Sequence, residues 1–266
     1  MDTLKLDRSS LAITQRCTLK CKLCNAYIPY YKKPIDMPLN QIARVLERYF
    51  SIVDSVGIFG ILGGEPLLHP DIVKILNAVK NYSERITERI DIVTNGTIMF
   101  TDELLAFFVE NSPKTKVIIS HYGQYSPKAD MLIDKLTELG INYRAAKYYG
   151  DDLLYGGWLD FRDHSQKHFS PEAVARQAEG CIVSRNRYYL ISEGEMHTCT
   201  RAHWRMREGI IPRNREEYLD LLDPKADLES QKITLTKLET RASTTSCAYC
   251  HGSNDSHLRY TPAEQL

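Results

Sequence analysis

The sequence predicts an α/β protein of parallel strands alternating with helices, followed by a smaller C-terminal unit built from a hairpin and a helix. Three observations carry this. Apolar strand-like runs alternate with amphipathic helical segments from residue 11 to residue 147, a pattern that implies parallel strands joined by right-handed crossovers. After Lys147 the texture turns to loops rich in Gly, Asp and aromatics. The seven cysteines fall into one group before that change and another after it.

The elements follow in order. LAIT (Leu11 to Thr14) reads as a buried strand that ends at a cysteine loop. PLNQIARVLERYF has Ile42, Leu46 and Tyr49 at helical spacing. VGIFGIL (Val56 to Leu62) is a strand stopped by Gly63 and Gly64, and HPDIVKILNAVKNY is a helix with Pro70 near its first turn. RIDIVTNG is a strand entering a Gly turn, DELLAFFVEN a helix, and KVIIS (Lys116 to Ser120) a strand. SPKADMLIDKLTELG carries helix punctuation, with Ser126 as cap, Pro127 at the first position and Gly140 at the close. INYRAAK is the fifth strand, and a sixth is expected without a position. Beyond the loop, SPEAVARQAEG is a short capped helix, RYYLISEGEMHTC a hairpin turning at Glu193 and Gly194, and REEYLDLL a short helix. The boundary falls within residues 165–175, which divides the chain into 1–170 and 171–266.

Composition excludes some functions. The formal charge is zero, so no basic field invites nucleic acid or anionic lipid. The sequence has no apolar run long enough to span a bilayer and no export signal at the start of the chain as given. A cytoplasmic location is therefore expected, where cysteines stay reduced and bind metals or carry redox chemistry. An odd number of cysteines also fits a disulfide framework poorly.

The stretch CTLKCKLC holds Cys17, Cys21 and Cys24, and the next cysteine is Cys181. A closed zinc site or a fully ligated iron–sulfur cube takes four thiolates. Three leave a position open, which in a metal site is the place for a substrate or cofactor. Parallel α/β sheets present their chemistry at the carboxyl ends of the strands. That rim collects the three cysteines, then Gly63-Gly64-Glu65-Pro66, then Thr94-Asn95-Gly96, then Ser120. A zinc loop remains the alternative for the cysteines.

Cys17-x3-Cys21-x2-Cys24, followed about forty residues later by GGEP at a strand end, resembles the radical S-adenosylmethionine superfamily. The resemblance implies a partial (β/α)6 TIM-type barrel and a [4Fe-4S] cluster whose open iron is chelated by the methionine end of S-adenosylmethionine. It also implies that Glu65 and the Gly63–Gly64 backbone, beside Pro66, hold the cofactor's amino group. Thr94, Asn95 and Ser120 then reach its ribose or carboxylate. Leu23 stands where the family commonly has an aromatic residue near the adenine. The implied chemistry is reductive cleavage to a 5′-deoxyadenosyl radical, with the electron drawn from an external donor of flavodoxin or ferredoxin type.

The C-terminal cysteines, Cys181, Cys199 and Cys247-x2-Cys250, allow zinc or a second cluster. CAYCH (Cys247 to His251) matches a haem attachment pattern, which the lack of an export signal sets aside. Cysteine, hairpin, cysteine, helix and CxxC resemble the twitch extension, the shortened SPASM domain. This implies one auxiliary [4Fe-4S] cluster with all four thiolates in use, a carrier of electrons rather than a substrate site. The resemblance extends to twitch dehydrogenases of aminocyclitol alcohols. It implies net two-electron oxidation of a small hydroxylated, sugar- or cyclitol-like substrate. Epimerisation and peptide modification are related alternatives, and a zinc-binding adaptor is the non-enzyme alternative. Candidate substrate residues are His121, Tyr122 and Arg144, joined by Trp158 and Asp160, with His121 or Arg144 as base. His197, His203 and His251 flank the auxiliary cysteines and are expected as hydrogen-bond partners rather than ligands.

Overall fold

The computed structural model describes residues 3–254 and 257–266. Its N-terminal part alternates β1 (Lys5–Thr14), α1 (Leu39–Ile52), β2 (Ser55–Gly63), α2 (Ile72–Lys80), β3 (Ile86–Thr94), α3 (Asp102–Glu110), β4 (Thr115–His121), α4 (Ala129–Glu138) and β5 (Tyr143–Lys147). The C-terminal part contains α5 (Pro171–Glu179), α6 (Ile182–Arg185), β6 (Tyr188–Ser192), β7 (Glu195–His197), α7 (Thr200–Arg207), β8 (Tyr218–Asp220) and α8 (Leu228–Thr240).

One eight-stranded sheet runs in the order β5-β4-β3-β2-β1-β6-β7-β8. The six strands from β5 to β6 are parallel, and β7 and β8 add antiparallel. The fold is thus α/β, a partial TIM-type barrel extended by a hairpin. Register explains why the helices cover one face. Ile191, Leu11, Ile61, Ile92 and Val117 are Cα partners across five strands, and all five are fully buried. Side chains alternate across a strand, so this apolar row faces the helices with Ile42, Leu46 and Tyr49 of α1 in the same core. The other face carries polar residues such as Ser10 and Asp91, with Asp91 held by Arg8 and Arg89. Among the described residues no helix is long and apolar enough to cross a membrane.

The sixth parallel strand is β6, the first strand of the predicted hairpin. It sits beside β1, with Arg8 opposite Tyr188 and Ala12 opposite Ser192, so the sheet continues across residue 170. The hairpin turns at Glu193 and Gly194, both at positive φ, as a two-residue turn requires. Two local expectations change. REEYLDLL is not a helix: Tyr218–Asp220 is an edge strand on β7, because pairing overrides a short apolar spacing that fits either form. The helices between Cys199 and Cys247 are instead α7 and α8. Ser126 does not cap α4, whose N-cap is Lys128 with no side-chain bond. Its hydroxyl is committed to the neighbouring strand-end loops. Gly140 does close α4, at φ 65°, the left-handed conformation that favours glycine.

Candidate active site

The end of β2 meets the first cysteine loop so closely that glycine is required. A Cβ on Gly63 would lie 2.3 Å from the Thr14 carbonyl oxygen, and one on Gly64 2.2 Å from that of Arg16 and 2.9 Å from Cys17 Cβ. The approach lets Gly64 N–H donate to Thr14 O at 2.9 Å and Glu65 N–H donate to Arg16 O at 2.8 Å. An ammonium group, being a donor, must then be met by carbonyl oxygens and the Glu65 carboxylate.

Glu65 is fully buried. Its carboxylate accepts from Asn95 N–H at 2.7 Å, Thr94 Oγ1 at 3.1 Å and Leu67 N–H at 3.2 Å. Burial nevertheless pushes its pKa up to about 7, against the lowering effect of those bonds. No cation among the described residues forms an ion pair with it. A buried carboxylate lacking a counter-charge fits the ammonium of S-adenosylmethionine. Pro66, also buried, opens the short helical turn after Glu65.

The three cysteines are free thiols beside this carboxylate. Burial raises all three pKa values, that of Cys21 to about 12; Cys24 also opposes ionisation of Cys17 and Cys21, and Cys17 that of Cys21. Three thiolates here need a metal to stabilise them, and the donor set fits an iron–sulfur cube with one open position. Asn95 Nδ2 reaches Cys17 Sγ at 3.5 Å, and Gln265 Nε2 reaches Cys21 Sγ at 3.6 Å. Ser126 Oγ ties the loops together, donating to Asn95 O at 2.6 Å and accepting Tyr122 N–H at 2.9 Å.

The four C-terminal cysteines converge from α5–α6, the end of β7 and the turn at Thr245–Tyr249 to line one cavity. Gly252 N–H donates to Cys250 Sγ and Ser253 N–H to Cys181 Sγ, both at 3.3 Å. Gly252 has φ 80°, and a Cβ there would sit 2.1 Å from Gln177 Nε2. Burial opposes ionisation of Cys250, yet Arg201 and Arg205 hold its thiol below the ordinary value. Buried Arg201 Nε and Arg205 Nη2 have no protein partner. Orphaned donors beside four sulfurs fit a group rich in sulfur acceptors.

Between the two cysteine sites lies a cavity of about 540 Å³. Its lining includes Leu23 and Asn25 beside Cys24, Gly180 and Ile182 beside Cys181, and Tyr122, Tyr148 and Trp158. Tyr122 stacks on Tyr148 at 5.4 Å and meets Trp158 edge-on at 5.5 Å. Burial drives the Tyr122 phenol well above its usual pKa, against a hydrogen bond with Ser120. Of the three substrate residues expected from sequence, Tyr122 alone lines this cavity. His121 has both ring nitrogens engaged, one with Asp130 at 3.0 Å and one accepting Gly123 N–H at 3.1 Å. Arg144 is exposed on the edge strand. Trp158 is in the cavity wall, whereas Asp160 pairs with Arg162 at 2.5 Å.

Buried His197 and His203 sit with half-buried Glu195 in a tight group. Glu195 pairs with Arg213, and Arg207 pairs with Glu193 beside His203, so the acids already have cations and the group is a structural network. Exposed His251 packs against His257. Sequence reasoning missed Ser126 in its true role, Gln265, Arg201 and Arg205. The arginines had a signal: positions i and i+4 on a helix that follows Cys199 share one face.

The family described as Radical SAM superfamily matches residues 11–143. A curated relative, the S-adenosylmethionine-dependent nucleotide dehydratase of Selenomonas ruminantium, is 31% identical over 98 residues, 36% of this chain and 32% of that protein. The chain spans about a third of the length of the curated relatives it matches. Among solved structures, BtrN in complex with AdoMet and 2-DOIA aligns with TM-score 0.54 at 19% identity, covering 98% of this chain and 99% of BtrN. Native anSMEcpe with bound AdoMet aligns with TM-score 0.56 at 13% identity, covering 92% and 81%. At these identities the likeness is one of fold.

Proposed function

The chain belongs to the radical SAM superfamily, whose enzymes bind S-adenosylmethionine and a [4Fe-4S] cluster, and from that premise we propose that it oxidises a small hydroxylated, sugar- or cyclitol-like molecule by two electrons. Membership sets aside the zinc-adaptor alternative. Cys17, Cys21 and Cys24 hold the open cluster. Gly63, Gly64, Glu65, Pro66, Thr94, Asn95 and Ser120 form the cofactor site. Cys181, Cys199, Cys247 and Cys250 hold an auxiliary [4Fe-4S] cluster. The functional division is 1–170 for radical generation and 171–266 for electron acceptance, with an external one-electron donor.

The observation that carries this proposal is the cavity whose wall includes the immediate neighbours of Cys24 on one side and of Cys181 on the other. A substrate there lies against the residues that flank Cys24 and Cys181. When bound, the open cluster and S-adenosylmethionine supply an electron and a carbon radical that takes a hydrogen atom, while the auxiliary cluster supplies an electron acceptor. The protein's part is positioning. Glu65 neutralises the cofactor ammonium. Tyr148 and Trp158 offer aromatic faces to a ring and exclude water. Tyr122 keeps its proton and donates to a substrate hydroxyl. His121 and Arg144 lie outside the cavity lining and are not carried forward as its base; the oxidation balances as one hydrogen atom taken by the carbon radical, one electron passed to the auxiliary cluster and the hydroxyl proton released to bulk solvent.

The test replaces Cys247 and Cys250 by Ala. Cleavage of S-adenosylmethionine to 5′-deoxyadenosine is expected to persist while the oxidised product disappears. An oxidised product at wild-type yield from iron-depleted auxiliary sites contradicts the proposal. The Tyr122 phenol in the cavity wall favours epimerisation as the second reading, because a phenol can return a hydrogen atom.

A further inference from the structure

Helix α7 places Arg201 and Arg205 one turn apart, and both are fully buried, at 1% and 0% exposure. Charged side chains are almost never fully buried unless paired. Here the hydrogen-bond partners are neutral. Arg201 donates to Asn25 Oδ1 and to Ser253 Oγ at 3.4 Å, with its guanidinium 4.1 Å from the Phe161 ring centroid. Arg205 donates to Ser246 O and Oγ, both at 3.0 Å, and to His164 Nδ1 at 3.4 Å. Among the described residues neither arginine forms an ion pair with a carboxylate. One N–H-bearing nitrogen of each has no partner at all.

Two buried cations without a counter-ion are a large electrostatic imbalance. The arginines flank the cavity of the four C-terminal cysteines: Arg201 lines it, and Arg205 donates to Ser246, which lines it too. The missing anion therefore belongs in that cavity. We propose that Arg201 and Arg205 are the built-in counter-charge of the auxiliary cluster and raise its reduction potential, so that it accepts rather than donates an electron. This rests on the auxiliary-cluster reading above. A four-thiolate cube is anionic and gains a further negative charge on reduction. A fixed cation stabilises the reduced form more than the oxidised one, and net charge and hydrogen bonds to sulfur are the levers that set such potentials. Both are positioning residues, acting through the cluster and not on the substrate. Arg201 also bonds Asn25, the residue after Cys24, so the same side chain fastens the two cysteine sites to one another.

The experiment uses the full chain with Cys17, Cys21 and Cys24 changed to Ala, reconstituted anaerobically with iron and sulfide, so that only the auxiliary site titrates. Iron is counted first, and the midpoint is then read by redox titration followed by electron paramagnetic resonance. No bound iron in this parent overturns the auxiliary-cluster reading itself. With about four irons present, Arg205→Gln and Arg201→Gln are each expected to lower the midpoint by about 59 mV, a tenfold change in the oxidised-to-reduced ratio for one electron. Arg205→Lys and Arg201→Lys are expected to stay near the parent. Should a Gln variant fail to assemble, its Lys counterpart retaining iron and midpoint still supports the charge role. Unchanged midpoints in the Gln variants overturn the inference and leave the cluster reading standing. Lys variants that shift as far as Gln, or that lose their iron, also overturn it, since guanidinium geometry rather than charge then holds the site.

Discussion

The Glu65 carboxylate accepts the Asn95 backbone N–H at 2.7 Å, a bond that locks the end of β2 to the end of β3. It aims a fully buried, cation-free acid at the place where the cofactor's ammonium is expected. Glu65→Ala is expected to weaken S-adenosylmethionine binding by roughly 1.5–3 kcal/mol, the loss of a charge-assisted contact, while leaving the iron content unchanged. Equilibrium dialysis of reconstituted protein checks this, and equal affinity moves GGEP away from the cofactor.

The same residue predicts a pH dependence. Its folded pKa is raised from 4.5 to about 7, so the folded protein holds the proton more tightly than the unfolded chain. The fold without cofactor is expected to lose stability as pH rises from 4.5 through 7. Cofactor affinity is expected to change in the opposite sense, rising as Glu65 ionises. Denaturant melts and binding isotherms across this window should both flatten in Glu65→Gln.

Gly64→Ala places a Cβ 2.2 Å from Arg16 O, backbone that can yield only by moving the cysteine loop. We expect a stability loss of about 2–3 kcal/mol and loss of iron from the first site. Wild-type iron in this variant contradicts the packing account of the motif.

Ser126 Oγ satisfies Asn95 O at 2.6 Å from a buried position. Removing it in Ser126→Ala leaves that carbonyl without its donor, at about 1–3 kcal/mol. The expected signature is weaker cofactor binding with α4 retained, because Ser126 is no helix cap. Circular dichroism beside a binding titration separates the two roles.

What was legible in the sequence follows its range of interaction. The row Leu11, Ile61, Ile92 and Val117 is written in local alternation, and the strand-end cysteines, GGEP and TNG inherit their common rim from that parallel order. Ser126 was misread because SP before an apolar run is a good local cap signal, whereas its actual partner, Asn95, lies 31 residues earlier. Pairing of β6 with β1 joins Tyr188 to Arg8, a contact that no local pattern encodes. His121 and Arg144 were placed by strand position alone. Side-chain direction and the Asp130 partner removed the first from the cavity, and edge exposure removed the second. Gln265 reaches Cys21 from 244 residues away, again beyond any local signal.

Tyr122 separates the two chemical outcomes. With the true substrate in deuterated water, oxidation gives a product two hydrogens lighter. Epimerisation gives an isomer carrying one solvent deuterium. Tyr122→Phe is expected to leave oxidation within about tenfold of wild type, as loss of one hydrogen bond worth about 1 kcal/mol implies. Recovery of a deuterated isomer whose formation Tyr122→Phe abolishes assigns the enzyme to epimerisation.

The central claim, two clusters facing one substrate cavity, is tested most directly by iron content with Mössbauer spectroscopy of anaerobically reconstituted protein. About eight irons per chain are predicted, four at each Cys-ligated site. About four should remain when Cys17, Cys21 and Cys24 are replaced, and about four when Cys181, Cys199, Cys247 and Cys250 are replaced. A wild-type value near four, unaffected by loss of the C-terminal cysteines, would contradict the account.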